Sequence, residues 1–194
     1  MPNKIKPFRC IVADPPWELK MGRVRTNSVG RWAGYQRIKD LPYPTLTVEE
    51  ITRLAPPVTD DAHLYLWTIN KYVTEAYEIA RAWGFRPATL LVWTKTPMGL
   101  GLGGTFCNVT EFCLFARRGN LRAKRRIDRT WWNWTRGRHS AKPEAFFDIV
   151  KSVSPGPYLE MYARKPRPGW SVWGNEVSND LQITSKEKIC RAAG

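Results

Sequence analysis

The sequence has little of what a metal centre or a disulfide framework needs. It contains only four cysteines and two histidines in 194 residues. No two cysteines form a CxxC pair, the spacing typical of zinc sites, so we expect no metal ion and free thiols. Acidic residues are also scarce, because 17 Asp and Glu stand against 31 Lys and Arg, a net charge of +14.

Long apolar runs are missing as well. No stretch approaches the roughly 20 apolar residues of a membrane-spanning helix, and no secretory signal core is present. We therefore expect a cytoplasmic protein. A chain of this length suits one domain. We expect that domain to occupy residues 1–177 and to be followed by a peripheral C-terminal tail over residues 178–194.

The excess of positive charge is concentrated in one segment. Residues 117–138 hold nine Lys or Arg and one acid, together with three tryptophans. Such a segment attracts phosphate backbones by counterion release, and its tryptophans can stack on bases. A solvated surface and an anionic membrane are the alternatives, but the segment has no amphipathic stripe. We therefore expect a nucleic-acid partner, with candidate contacts at Arg122, Lys124, Arg125, Arg126 and Trp132.

Short apolar runs alternate with helical patterns along the chain, which favours βαβ units and an α/β fold. Buried strands are predicted at residues 8–13, 63–68, 88–94, 109–116 and 158–163. Helices are predicted at residues 47–54, 73–83 and 142–150. Residues 20–44 show neither period and predict a long loop.

The first predicted strand ends at Asp14-Pro15-Pro16-Trp17. Ligands of open α/β sheets bind beyond the carboxyl ends of the strands, so this tetrapeptide is a candidate site. The Asp14 carboxylate and the Pro15 carbonyl are acceptors, and proline brings no competing amide donor. Acceptors around an exocyclic amine favour its attack on an activated methyl group. The alternative is a turn that ends the strand, with Trp17 in the core.

A set of motifs in unbroken order covers nearly the whole chain. They are DPPW, LPYPTLT, LYLWT, LLVWTKT, a Gly-rich loop, HSAKPEAFFDIV, YLEMYAR and WGNE. This set, from about residue 8 to 177, resembles the family of the catalytic subunit of the mRNA adenosine-N6 methyltransferase, whose bacterial and phage members methylate DNA. The resemblance implies a single-domain, Rossmann-like fold in permuted motif order. It also implies S-adenosyl-L-methionine as cofactor and a bacterial or phage-infected cell as the setting.

The resemblance implies roles for individual residues. Asp14, Pro15, Pro16 and Trp17 would form the catalytic motif. Lys142 would meet the cofactor's methionine carboxylate, unless it is a solvated lysine at a helix start. The other implied cofactor contacts are Ala13, Asp14, Tyr43, His139, Ser140, Glu160, Arg164, Asn175 and Glu176. The substrate-side positions are Trp17, Tyr43, Trp67, Trp93, Lys95, Asn108 and Glu111, although Tyr43 could be an ordinary loop residue and Trp67 and Trp93 could be core.

We therefore predict a DNA adenine-N6 methyltransferase with a short or relaxed recognition sequence. RNA adenine-N6 methylation, cytosine-N4 methylation, a catalytically silent nucleic-acid-binding partner subunit and a homodimer stay open as alternatives. Family members often have a segment upstream of the catalytic strand that encloses the cofactor adenine, and seven residues precede Phe8 here. Closure on that side would then come from residues 10–13, the C-terminal segment or a partner.

Overall fold

A mixed seven-stranded sheet forms the centre of the fold. The computed structural model describes residues 7–18, 23–25, 35–37, 44–96, 106, 108–135, 137 and 141–183. The strands are β1 (Phe8–Ala13), β2 (Arg23–Arg25), β3 (Tyr35–Arg37), β4 (Val58–Thr68), β5 (Arg86–Thr96), β6 (Thr110–Arg118), β7 (Trp131–Thr135), β8 (Tyr158–Met161) and β9 (Trp170–Trp173). The helices are α1 (Val48–Arg53), α2 (Val73–Ala82) and α3 (Glu144–Val153), with a 3-10 turn at Asn70–Tyr72.

The strand order across the sheet is β7-β5-β6-β4-β1-β8-β9. Strand β6 runs antiparallel to its neighbours β4 and β5, whereas the other six strands share one direction. A largely parallel sheet with helices on both faces confirms the predicted α/β, Rossmann-like fold. Strands β2 and β3 form a separate antiparallel pair.

The two faces of the sheet carry separate apolar cores because successive side chains of a strand point to opposite sides. In β1, Ile11 and Ala13 join the core under α1 and α2, whereas Cys10 and Val12 join the core under α3. Helix α3 buries Phe146, Phe147 and Val150. Complete burial of such a side chain stabilises a fold by about 1.5–3 kcal/mol.

Helix α1 begins where the sequence predicts, because Thr47 and Glu50 form a capping box. The Glu50 amide donates to Thr47 Oγ1 at 3.2 Å, and the Thr47 amide donates to Glu50 Oε2 at 2.8 Å. These bonds satisfy amide groups that a helix start leaves without partners. Among the described residues, none of the helices has the length and apolar character needed to cross a membrane.

Several elements differ from the sequence-based expectation. Strands β2 and β3 lie inside the stretch expected to be a loop, and β7 and β9 were not predicted. Strand β4 begins at Val58, five residues earlier than expected. The start of the expected peripheral tail packs on the domain, since Leu181 is buried and the Asp180 carboxylate accepts from the Val172 amide at 2.8 Å.

Candidate active site

The carboxyl ends of the parallel strands meet at one edge of the sheet, where the predicted motif lies. Asp14 follows β1, whose last residue, Ala13, is in register with Leu66 of β4 and Met161 of β8. Because β6 is antiparallel, its first residues reach this same edge, and Glu111 lies opposite Trp93. The sheet topology therefore brings together groups that are distant in sequence, as expected for a site in such a fold.

Four charged side chains form a row at this edge. Lys142 Nζ donates to Asp14 Oδ2 at 2.5 Å and lies 3.3 Å from Glu111 Oε2. Glu111 in turn pairs with Lys95. The Lys142 side chain is only 9% exposed. It is therefore not a solvated lysine at the start of a helix, but the central cation between two carboxylates.

The surroundings shift the pKa values of these groups in different directions. Burial disfavours the ammonium of Lys142, but the charges of Asp14 and Glu111 outweigh burial and raise its pKa. Burial acts against the carboxylate of Glu111, yet Lys142 and Lys95 together hold its pKa below the usual range. Burial raises the pKa of Asp14, which faces one ammonium and the negative charge of Glu111. Lys142 is thus firmly protonated, and Asp14 is the more basic carboxylate.

The motif itself is held by backbone and side-chain contacts. The Pro15 carbonyl accepts from the Trp17 amide and the Pro16 carbonyl from the Leu46 amide, each at 2.9 Å. Trp17 is 7% exposed, and its indole donates to the Trp67 carbonyl at 3.1 Å. Its ring stacks on Tyr72 with centroids 5.0 Å apart. Trp17 is therefore part of the core and anchors the loop that carries Asp14.

A cavity of about 310 Å³ opens beside Asp14. Five of the expected cofactor contacts line it, namely Asp14, Lys142, Glu160, Arg164 and Glu176, and so does Trp67 from the expected substrate side. Val12, from the stretch 10–13 expected near the cofactor adenine, also lines it, and the lining residues that the sequence did not indicate are Ala141, Phe147, Tyr162, Lys165 and Arg167. The cavity thus has an apolar wall and charged groups of both signs.

Two polar atoms in this lining are buried without a hydrogen-bond partner among the described residues, Trp67 Nε1 and the Tyr162 hydroxyl. Buried polar groups almost always have partners, so such atoms in a cavity wall suit a bound polar ligand. Tyr162 also has a φ of 61°, a strained conformation for a residue other than glycine. The sequence predicts a strand through residue 163, so Tyr162 was expected inside the strand and not directly after its end.

Glu160 is held by Arg167 at the wall of the cavity. Arg167 Nε donates to Glu160 Oε2 at 2.8 Å, and the same guanidinium lies 3.3 Å from the centroid of the Phe147 ring. Burial raises the pKa of Glu160, although Arg167 opposes this. Arg164 lies 3.7 Å from Glu176, so these two expected contacts meet each other at the rim.

Other expected site residues lie elsewhere. Ala13 is fully buried behind the cavity, and Asn175 is exposed and does not line it. Trp93 is core, and its indole donates to the Trp134 carbonyl at 2.9 Å. Asn108 precedes β6 and is also outside the lining. Tyr43, His139 and Ser140 lie outside the described residues.

The basic segment begins at the opposite edge of the sheet. It follows the end of β6, and the Lys124 amide donates to the carbonyl of Val153 at the end of α3, at 2.7 Å. Arg122 and Lys124 are therefore not brought next to Asp14. Strand β7 then leads back towards the active edge, with Trp132 stacked on Trp134 at a centroid distance of 5.3 Å.

Comparison with known proteins agrees with this geometry. The family model MT-A70 matches residues 8–176. The type II methyltransferase M.MunI of a Mycoplasma species is 31% identical, over 95% of this chain and 84% of that protein. The human N(6)-adenosine-methyltransferase catalytic subunit METTL3 is 28% identical over 95% of this chain, which spans only 30% of that protein. The chain therefore belongs to the MT-A70 family of N6-adenine methyltransferases, which use S-adenosyl-L-methionine.

Proposed function

We propose that this protein methylates the N6 amine of adenine at specific sites in DNA. The main support is the identity of 31% with the type II methyltransferase. The match extends over 84% of that protein and over 95% of this chain. The enzyme would then work with the compact site described above, at the Asp14 edge of the sheet. We propose the cytoplasm as its location.

The cavity residues fit S-adenosyl-L-methionine. The cofactor supplies an activated methyl group on a sulfonium, which no side chain at this edge could provide. Lys142 and Arg164 offer positive charge to its carboxylate end, and Glu160 can accept from ribose hydroxyls while Arg167 holds it in place. Trp67 Nε1 and the Tyr162 hydroxyl, which have no partner among the described residues, would gain one.

Asp14 and Pro15 would orient the acceptor amine. Asp14 Oδ2 is occupied by Lys142, and among the described residues no donor bonds to Asp14 Oδ1. This second oxygen can accept one amine hydrogen, and the remaining lone pair of the Pro15 carbonyl can accept the other. The two bonds strengthen as the nitrogen becomes tetrahedral and positively charged, which lowers the barrier to transfer. A base in a duplex would have to flip out to reach this edge.

The direct test is to incubate the purified protein and S-adenosyl-L-methionine with DNA and, in parallel, with RNA, and to digest the products for mass spectrometry of nucleosides. We expect N6-methyldeoxyadenosine, and a variant with Asp14→Ala should give none. N4-methyldeoxycytidine as the product would contradict the assignment of the base. Absence of any methylated nucleoside from both nucleic acids, with the cofactor bound, would contradict the proposed activity.

RNA is the second candidate substrate, and the 28% identity with METTL3 is the observation that favours it. That identity covers only 30% of the relative's length, whereas the match to the bacterial enzyme covers 84%. We therefore place DNA first. A competition between equal amounts of single-stranded DNA and RNA of the same sequence gives the ratio of their kcat/KM values, and a ratio in favour of RNA would reverse the order.

A further inference from the structure

Three arginines surround a second cleft, at the edge of the sheet opposite to Asp14. Arg86, Arg117 and Arg122 line this cleft of about 390 Å³, together with Gly119, Asn120 and Leu121. Arg86 begins β5, and Arg117 lies near the end of β6. We refer to these six residues as the arginine cleft. Arg86 lies outside the motifs and the basic segment described above, and Arg117 is the first residue of that segment.

The arginines are placed in a way that the fold alone does not favour. Arg86 and Arg117 are direct neighbours across the antiparallel β5 and β6 strands. Like charges in such a pair destabilise a sheet. Among the described residues, no carboxylate lies within ion-pair distance of Arg86, Arg117 or Arg122. Three positive charges around one cleft are therefore left for a ligand of opposite charge.

The nearby acids are already engaged. Asp60 lies 3.8 Å from Arg118. Arg118 follows Arg117 in β6, and the Arg118 side chain therefore points to the opposite face of the sheet. Asp61 Oδ1 accepts from the Asn120 amide at 2.6 Å. Neither aspartate lines the cleft. These contacts explain why two acids close to the cleft do not neutralise its arginines.

The loop that carries Arg122 is held from several sides. His63 Nε2 bonds to the Leu121 carbonyl at 3.1 Å, and Arg86 Nη2 donates to the Gly119 carbonyl at 3.1 Å. Gly119 has a φ of 59°, which permits the tight turn out of β6. Because its backbone is fixed in this way, the loop presents Arg122 next to Arg117 at a small entropic cost on binding.

We propose that the arginine cleft binds a phosphate group. Planar guanidinium groups bind phosphate oxygens through paired hydrogen bonds, and three of them can surround one phosphate. Only the source of the phosphate rests on the proposed function: a nucleic acid bound at Asp14 would supply it from its backbone. Asp14 follows Ala13, which is in register with Leu66 of β4, and Arg117 lies opposite His63. Arg117 is therefore about 13 Å from Asp14 along the strands and roughly 10 Å across the sheet, two strand spacings away, so the cleft would meet a phosphate other than that of the target nucleotide.

Arg117→Gln and Arg86→Gln in the full chain test the proposal, with Arg118→Gln as the matched control. The control removes the same charge from the adjacent position, where the guanidinium already pairs with Asp60. In one arm, inorganic phosphate is titrated while the side-chain NMR signals of the arginines are followed. In the other arm, binding of a labelled 12-nucleotide single strand, which needs no methyl transfer, is measured between 50 and 300 mM salt.

We expect phosphate to shift the Arg86 and Arg117 signals at millimolar concentration. If the backbone is the source, each cleft variant also lowers the slope of log K against log salt by about one unit, and Arg118→Gln leaves the slope unchanged. A phosphate response with unchanged slopes would support the cleft with free phosphate as its ligand. No phosphate response, with equal slopes for Arg117→Gln and Arg118→Gln, would overturn the proposal. Arg117→Gln should fold with an unchanged or higher Tm, because it relieves the like-charge pair, whereas Arg86→Gln also loses the bond to the Gly119 carbonyl and should have the lower Tm of the two.

Discussion

At the scale of single residues, the site depends on how two carboxylates share their cations. Glu111 faces two ammonium groups, whereas Asp14 bonds to Lys142 alone. This difference keeps the pKa of Glu111 low and lets burial raise the pKa of Asp14. A more basic carboxylate is the better acceptor for amine hydrogens. The row of charges thus assigns the acceptor role to Asp14 and a supporting role to Glu111.

Asp14→Asn should therefore abolish most of the activity without loss of the cofactor. We expect kcat to fall by at least about 100-fold, the scale of one lost transition-state acceptor, with the cofactor Kd within about tenfold. Single-turnover kinetics and calorimetry measure the two quantities. Asp148→Asn, which removes an exposed acid of α3, is the matched control. Turnover within a few-fold of the wild type would show that Asp14 does not hold the amine.

Lys142→Met should shift the acidic limb of the pH profile of kcat/KM to higher pH. Loss of the ammonium leaves Asp14 beside the charge of Glu111, so its pKa rises further and its carboxylate protonates at a higher pH. We also expect cofactor binding to weaken by roughly 1.5–3 kcal/mol, the scale of a charge-assisted contact.

Lys151→Met, at an exposed position of α3, controls for the loss of one charge. An unchanged pH profile would contradict the role of Lys142 beside Asp14. An unchanged cofactor Kd would show that Lys142 serves only the two carboxylates and does not meet the cofactor.

The sequence predicts these charged residues better than their partners. The position of Asp14 after an apolar strand and of Lys142 at a helix start follows from local patterns. The pairing of Lys142 with Asp14 and Glu111 depends on the order of strands β6, β4 and β1, which no local pattern contains. Tyr162 was missed because its strained φ and unpartnered hydroxyl arise from the packing at the end of β8.

At the scale of elements, a buried polar network ties the base of β4 to α3 and to the start of the basic segment. The Leu121 carbonyl can only accept, so His63 Nε2 carries the hydrogen and Nδ1 accepts from Ser154 Oγ at 2.8 Å. Tyr65 then donates to Ser154 Oγ at 2.9 Å. His63 is fully buried, and burial lowers its pKa. The network therefore requires a neutral imidazole.

The free energy of unfolding should consequently fall as the medium becomes acidic. A histidine whose pKa is depressed in the fold contributes its full stability above the unfolded pKa of about 6.5 and loses it as the pH falls through the folded value. The loss can reach about 1.4 kcal/mol per pH unit for one proton. Urea unfolding of the wild type and His63→Gln at pH 7.5, 6.5 and 5.5 measures this contribution.

The free energy of unfolding of the variant should be lower than that of the wild type at pH 7.5. Between pH 7.5 and 5.5 it should also change less than that of the wild type. If the free energy of unfolding changes equally with pH in the two proteins, His63 either stays neutral in both the folded and the unfolded state or is free to be protonated in the fold. His139, the second histidine of the chain, is present in both proteins and cancels in the comparison.

Elements with a strong local period were predicted, and those formed by long-range pairing were not. The capping box of α1 and the apolar runs of β1 and β5 are visible in the sequence. Strand β7 is an aromatic stretch inside the basic segment, and it becomes a strand because its backbone pairs with β5. The acidic start of β4 likewise joins the strand although its side chains are polar.

At the scale of the whole molecule, the positive charge is distributed around a compact site with paired charges. The active edge combines Asp14, Glu111 and Glu160 with their cations, whereas exposed arginines of the described residues line the arginine cleft and follow it along residues 122–129. Exposed positive charges at a distance from the reacting groups favour binding to a polyanion over an effect on the chemical step.

Neutralising part of the basic segment should accordingly weaken binding and leave catalysis intact. In the double variant Arg125→Gln/Arg126→Gln, two exposed charges are removed outside the arginine cleft. If both contact phosphates, the slope of log K against log salt falls by about one to two units, because fewer counterions are released on binding. The kcat value at saturating substrate should change by less than about twofold, since neither residue lines the cavity beside Asp14. Arg81→Gln/Lys151→Gln removes two exposed charges from α2 and α3 and controls for the net charge. Equal slopes for the two double variants would mean that residues 125 and 126 only increase solubility, and that the strand of nucleic acid follows another path from the Asp14 edge.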